Sequence, residues 1–329
     1  MAEEAPIAER VRSGSAEARL EALLAAMEQP PDEALVAAVT ATLDDEHPGL
    51  RQAALEAVGR FATFGGHTFE LAVLERAAQL TMDDSARVRA EAASTLAQLH
   101  DDLDHAPRLQ ALRRLLRDDE PGVRQEAAAA LGDLRDAEAA DSLADRLDDS
   151  DAGVRFEAAF ALAALGDTRA RPHLEGALRQ TRVRLDAMKA LGMLGDEASV
   201  DPLERLASRW FLGWADRLTA YATLYRLGRR GYAEKILART SSRNIQERTY
   251  AVALIGSHTI EEGAALLVGM AEDPAAPLRE TAIDALGALG QKEHAAVLER
   301  ISQDKTIEST TRRVAQDALR KLGGVQGRD

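Results

Sequence analysis

Residues 209–232 concentrate the side chains best suited to recognition. Ser208-Arg-Trp-Phe-Leu-Gly-Trp-Ala-Asp216 holds both tryptophans of the chain, Trp210 and Trp214, and Tyr221, Tyr225 and Tyr232 follow. Arg209, Arg217, Arg226, Arg229 and Arg230 are interleaved with them. Aromatics with arginines are the composition of interface hot spots, of cation–π recognition and of base stacking. Bulky core filling is the competing use of the same residues. Trp210 and Phe211, placed where a helix should end against its neighbour, are expected to fill a seam, and Tyr221 is expected in the core. Tyr225 and Arg226 carry more functional weight. Catalytic and metal chemistry has less to work with. None of the seven histidines is followed directly by Glu, and no HExxH, Walker, GxGxxG or GxSxG motif occurs. With no cysteine, thiolate ligands, Cys nucleophiles and disulfides are excluded. One local ligand cluster, His100, Asp102, Asp104 and His105, could meet a divalent ion, but it falls in a loop, where such side chains cap helices and contact water. We expect no catalytic residue and no cofactor.

The elements that position these residues follow from a repeated pattern. Val123-Arg-Gln-Glu-Ala-Ala-Ala-Ala-Leu-Gly-Asp-Leu134 shows it best: Arg, a small residue at +3, an aliphatic at +7, often Gly at +8 and Leu at +10. It recurs at Arg51, Arg89, Arg124, Arg155, Arg184, Arg217, Arg248, Arg279 and Arg312, at intervals of 29–38 residues, with a weaker copy at Arg19. Such a period is the signature of stacked two-helix units. Acidic turns such as Asp83-Asp84, Asp118-Asp-Glu-Pro-Gly122 and Asp148-Asp-Ser-Asp151 precede the arginine, and Asp or Ser there accepts hydrogen bonds from the free N–H groups of a helix start. Gly166, Gly195, Gly228 and Gly290 follow it, suited to the left-handed turn that ends a helix. Aromatics make up only 4% of the chain, so the core must be built from Ala and Leu.

The block D-D-x-x-x-V-R-x-E-A-A-x-A-L-G at 118–132, with its copy at 148–162 that has one more residue in the turn and no closing Gly, resembles bacterial HEAT repeats, nearest to the class associated with phycobilin lyase subunits. The resemblance implies an all-α solenoid, a right-handed superhelix of about ten two-helix repeats. One solenoid over 1–329 is expected, with a weak N-terminal capping repeat at 1–30, a C-terminal capping helix at 302–324 and a disordered tail at 325–329. In such repeats the Asp of the turn and the following Arg often form a ladder between units. The turns before Arg184 and Arg217 lack the Asp pair, so the ladder should break there.

Charge separates the same region from the rest. Residues 169–248 contain 16 Arg or Lys and 9 Asp or Glu, a net of +7, whereas the chain as a whole carries −14. An overall negative charge disfavours nonspecific nucleic-acid binding. At +2 the second helices carry an acidic row, Glu91, Glu126, Glu157 and Asp186, read as (i, i+4)-type or inter-repeat partners for Arg or Gln. In HEAT-type solenoids these helices line the concave face, with +1, +2, +5 and +9 pointing away from the seam. The candidate partner-binding set on repeats 5–8 is therefore Phe156, Phe160, Leu185, Lys189, Met193, Trp214, Leu218, Tyr225, Arg226, Arg229 and Arg230. It would take a protein or peptide that is acidic, amphipathic or both. No stretch reaches the ~18 apolar residues of a membrane span, and no signal peptide is visible at the N-terminus, so a cytoplasmic setting, in a bacterial cell, is expected. The leading function is a non-enzymatic scaffold. Two alternatives are a lyase- or chaperone-like subunit handling a modified protein or prosthetic group, and a DNA glycosylase of the HEAT-like kind, for which Trp214, Asp216 and Arg217 are the right residue types.

Overall fold

The computed structural model describes residues 5–63, 66–99 and 106–324. Among them lie twenty α-helices and no strand. The chain divides into two compact units, 1–174 and 175–329. In the first unit the pairs are α1 (Ile7–Arg12) with α2 (Ala16–Ala26), α3 (Glu33–Ala41) with α4 (Pro48–Thr63), α5 (Leu71–Leu80) with α6 (Ala86–Gln98), α7 (Ala106–Leu115) with α8 (Pro121–Asp133), and α9 (Ala140–Asp145) with α10 (Ala152–Ala164). The boundary falls inside α11 (Arg171–Ala177). The second unit holds α12 (Arg184–Leu194), α13 (Val200–Ala207) with α14 (Trp214–Arg226), α15 (Tyr232–Leu237) with α16 (Ile245–Ser257), α17 (Ala264–Glu272) with α18 (Arg279–Leu289), and α19 (Ala295–Gln303) with α20 (Ser309–Gly324). All ten repeat arginines lie in the first turn of a second helix. The all-α solenoid architecture is as expected, although the last helix starts at Ser309, because Gln303 ends α19 and the Asp304 turn intervenes.

Helix starts use the anticipated caps: Asp32 accepts from the Leu35 N–H at 2.7 Å and Asp151 from the Gly153 N–H at 2.8 Å. The residue eleven places after the repeat arginine adopts the left-handed conformation in six successive copies: Arg135, Gly166, Gly195, Gly228, Thr259 and Gly290. Gly at +8 has a separate reason. There the second helix meets residue +6 of the next one: a Cβ on Gly256 would stand 2.5 Å from the Ala285 carbonyl oxygen and one on Gly287 2.6 Å from the Ala318 Cα. Backbone cannot yield as a flexible side chain does. Gly256→Ala is therefore expected to destabilise the second unit by about 2 kcal/mol, measured as a lower urea midpoint.

In the first unit the Asp–Arg ladder forms. Arg51, Arg89 and Arg124 each donate through Nη1 to two carbonyl oxygens of their own turn, and through Nε and Nη2 to both oxygens of Asp83, Asp118 and Asp149 in the next. The same aspartates accept backbone N–H groups of Ser85, Glu120 and Asp151. Arg19–Asp45, at 2.7 Å, is the first rung. The Arg124 hydrogen bond, outweighing burial, holds the Asp149 carboxyl below its ordinary value of 3.8. A depressed carboxylate contributes stability above that value and loses it as pH falls through the folded one.

Glu91 of the acidic row behaves in the opposite sense. Burial, then the charges of Glu56 and Glu126, push its carboxyl up to about 7, against a hydrogen bond with Gln52. For Glu91, the Gln52 contact is of the inter-repeat kind. Between 4.5 and about 7 the folded chain keeps a proton that the unfolded chain has released, so stability falls as pH rises through this window. Glu91→Gln should flatten that dependence and raise stability at pH 8 by on the order of 1 kcal/mol after solvent screening, read from melting curves across pH.

Candidate functional site

The site begins with a helix that stops one turn early. Leu203, Leu206 and Ala207 already fill the seam below α13. At Ser208 the helix ends, its N–H returning to the Glu204 carbonyl, and residues 208–213 loop out. One more turn would have brought Trp210 and Phe211 onto the seam. Instead they are 85% and 95% exposed, in edge contact with ring centroids 6.5 Å apart. The expectation that these two residues fill the core is thus overturned. The flanking Ser208 and Gly213 are the sequence signal for the early stop. Arg217 holds the turn open: its Nη2 donates to the carbonyl oxygens of Arg209 at 2.7 Å and Trp210 at 3.4 Å.

Beside this turn lies a cavity of about 240 Å³ lined by Leu212, Trp214, Arg217, Leu218, Tyr221, Arg239 and Glu247. Its aromatic walls are braced from behind. Trp214 meets Tyr250 edge-on at 5.9 Å, and the Tyr250 hydroxyl lies 2.7 Å from the Thr219 hydroxyl. Tyr221 leans on Tyr232 at 5.3 Å, and Lys235 sits 5.3 and 4.3 Å from the two ring centres. Arg239 reaches Glu247 at 3.6 Å. The Arg217 Nε is buried with no hydrogen-bond acceptor among the described residues. Larger hollows, of 750, 710 and 310 Å³, lie elsewhere. The first surrounds Arg89, Arg113 and Asp118, whose charges are already paired in Arg89–Asp118 and Arg113–Asp136.

The anticipated partner-binding residues separate into three groups. Tyr225 and Leu218 are core residues, only 3% and 2% exposed, which corrects their assignment to a surface. Leu218, Ala222 and Tyr225 form one i, i+4, i+7 stripe, and that stripe packs into the hydrophobic core of the second unit. The Tyr225 hydroxyl donates to Glu262 at 2.7 Å and accepts from Arg230, whose guanidinium lies 4.4 Å over the ring. Burial, then the Glu262 bond, pushes the phenol above its ordinary range. Phe156, Phe160, Leu185, Met193 and Trp214 are half-buried. Phe156 and Phe160 pack on each other at 6.3 Å in the first unit, while the other nine residues belong to the second. Lys189, Arg226, Arg229 and Arg230 are exposed, and Arg229 pairs with Glu197 at 3.3 Å.

Asp216 is bound to Arg184 at 2.5 Å. That contact bridges the Asp-less turn before Arg217, where a break was expected: the acid comes from the helix rather than from the turn. The Asp-less turn before Arg184 does break the ladder: Arg155 donates to the carbonyl oxygens of its own turn, Asp149 and Ser150, and pairs with no carboxylate among the described residues. The cluster His100, Asp102, Asp104 and His105 and the tail 325–329 lie outside the described residues. Among the described residues no group of three or more His, Asp or Glu is placed to hold a metal ion, and no helix is long and apolar enough to cross a membrane.

The HEAT repeats family model matches residues 71–163, 147–210 and 233–320. The chain belongs to the HEAT-repeat family. Solved structures share its fold, among them the following two. This HEAT-repeat chain is 20% identical to a chain of the CpcE–CpcF complex of phycocyanin lyase from Nostoc sp. PCC7120, at a TM-score of 0.51 over 76% of this chain and 94% of that one. It is 13% identical to a chain of the Kap121p structure bound to Nup53p, at a TM-score of 0.59 over 96% of this chain and 44% of that one. No curated protein matches the chain.

Proposed function

We propose that this HEAT-repeat protein is a non-enzymatic interaction scaffold whose recognition surface is the 208–217 segment and its neighbouring cavity. The observation that carries this reading is the exposure of Trp210 and Phe211 on a turn held by Arg217. Large aromatics on a positioned turn lose little conformational entropy when a partner covers them. The partner is a protein segment that is acidic and carries an apolar anchor. Arg205, Arg209 and Arg243 are exposed in the same unit, as are Lys189, Arg226, Arg229 and Arg230, and the cavity offers Trp214 and Tyr221 beside two guanidiniums. Proteins retained from the native cell extract should be released by added salt, as expected for paired charges. Retention unchanged by salt would remove the acidic partner.

The fold shared with a phycocyanin lyase subunit supports a second reading, a subunit that holds a modified protein or prosthetic group. Size favours the first: a 240 Å³ cavity falls below the ~300–1,000 Å³ of typical small-molecule sites and suits one side chain. Visible absorbance of the purified protein would reverse this preference. A glycosylase-type role has less support, because Asp216, its candidate acid, is engaged by Arg184.

A further inference from the structure

Two cationic side chains and a histidine of the second unit lie on successive second helices. α12, α14 and α16 pack in that order. Lys189 stands midway along α12, Arg226 is the last residue of α14, and His258 caps the C-terminus of α16. The Arg226 stem crosses α12 at Gly192, where its Cδ and Nε would lie 3.9 Å from an added Cβ. Lys189 is one turn earlier on the same helix face. We propose that Lys189, Arg226 and His258 form a binding site for a phosphate-type oxyanion.

Proximity of like charges needs a counterpart. Among the described residues no carboxylate pairs with Arg226. Lys189 touches Asp186 at 3.1 Å, but both side chains are half in solvent, and such a pair contributes only about 0–1 kcal/mol. The charged groups that act on His258 are Arg226 and Lys189, both cations. Burial, then these two charges, hold the imidazole down at about 4. The ring is therefore neutral at physiological pH. Its Nδ1 lies 3.0 Å from the Ser257 hydroxyl. In the tautomer in which Ser257 donates, Nε2 carries the proton and is a donor for a ligand. The C-terminal carbonyl groups of α14 favour a nearby cation, which accounts for Arg226 alone. They do not account for Lys189, in the middle of α12. An oxyanion with two charges would neutralise Lys189 and Arg226 and accept the imidazole N–H. The site is open, so it takes a free phosphate ion or a phosphoryl group on a larger partner. It is independent of the Trp210 turn, and its failure would leave the scaffold reading untouched.

The test follows the His258 imidazole by NMR while inorganic phosphate is added at constant ionic strength, with chloride as control. A saturable response confined to His258 is expected, with its pKa rising from about 4 toward the ordinary imidazole value of about 6.5. Arg226→Gln and Lys189→Gln, both at exposed positions, should each weaken phosphate binding by about tenfold, the loss of one charge-assisted hydrogen bond. Without phosphate, each should also raise the His258 pKa. No saturable response, or an equal response in the two variants, would overturn the site. A phosphoserine peptide binding more tightly than inorganic phosphate would identify the source as a partner protein, and the reverse order a free ion.

Discussion

Replacing Asp149 with alanine should lower the stability of the first unit by about 3 kcal/mol, the cost of leaving one member of a buried ion pair alone. Arg124 and Asp149 are both buried and joined by two hydrogen bonds, of 2.9 and 2.7 Å. Without Asp149, the Arg124 guanidinium keeps only the carbonyl oxygens of Asp118 and Asp119, and the Asp151 N–H loses its acceptor. Exposed pairs provide the contrast. Arg169–Asp141 is also close, at 2.9 Å, but lies largely in water, so Asp141→Ala should leave stability nearly unchanged. Because repeat arrays need not unfold in one step, the measurement is hydrogen exchange of the α8 and α10 amides rather than a single midpoint. Arg124→Met with Asp149→Leu should recover much of the loss, since paired apolar groups leave no charge behind. Protection unchanged in Asp149→Ala would show that helix packing alone holds the first unit.

Truncation of the exposed aromatics should do the reverse: little to stability and much to binding. Trp210 and Phe211 contribute almost nothing to the core, so the double change Trp210→Ala, Phe211→Ala should alter stability by less than about 0.5 kcal/mol. A central aromatic anchor is worth about 2 kcal/mol or more in an interface, roughly thirtyfold in affinity. The double variant should therefore lose its partner while its melting curve stays in place. A control at Leu24, also exposed but in the first unit, should bind normally. A lower melting temperature in the double variant would show that the two rings pack against the protein.

The fold was legible because each repeat states it in several ways at once. An arginine, an acidic cap, small residues and a closing glycine point to the same two helices, and each recurs. The site was less legible because it depends on where one helix ends. Leu203, Leu206 and Ala207 complete a seam, and only then does it follow that Trp210 and Phe211 have nowhere to pack. Pattern position misled for Tyr225. Gly is usual there because the next helix comes close, yet in α14 a phenol fills the space and finds Glu262, far along the chain. Asp216 likewise entered the ladder from a helix position that no turn pattern marks. The convergence of Lys189, Arg226 and His258 depends on three helices at once, and the repeat register alone does not reveal it.

The central claim, that Trp210 is presented to solvent for a partner to cover, can be read from its own fluorescence. The chain has two tryptophans, and Trp214→Phe keeps a ring against Tyr250 while leaving Trp210 as the sole emitter. In the free protein acrylamide should quench Trp210 as readily as a small tryptophan amide, and added partner should shield it. A Trp210 already protected in the free protein, or one whose quenching the partner leaves unchanged, would contradict the account.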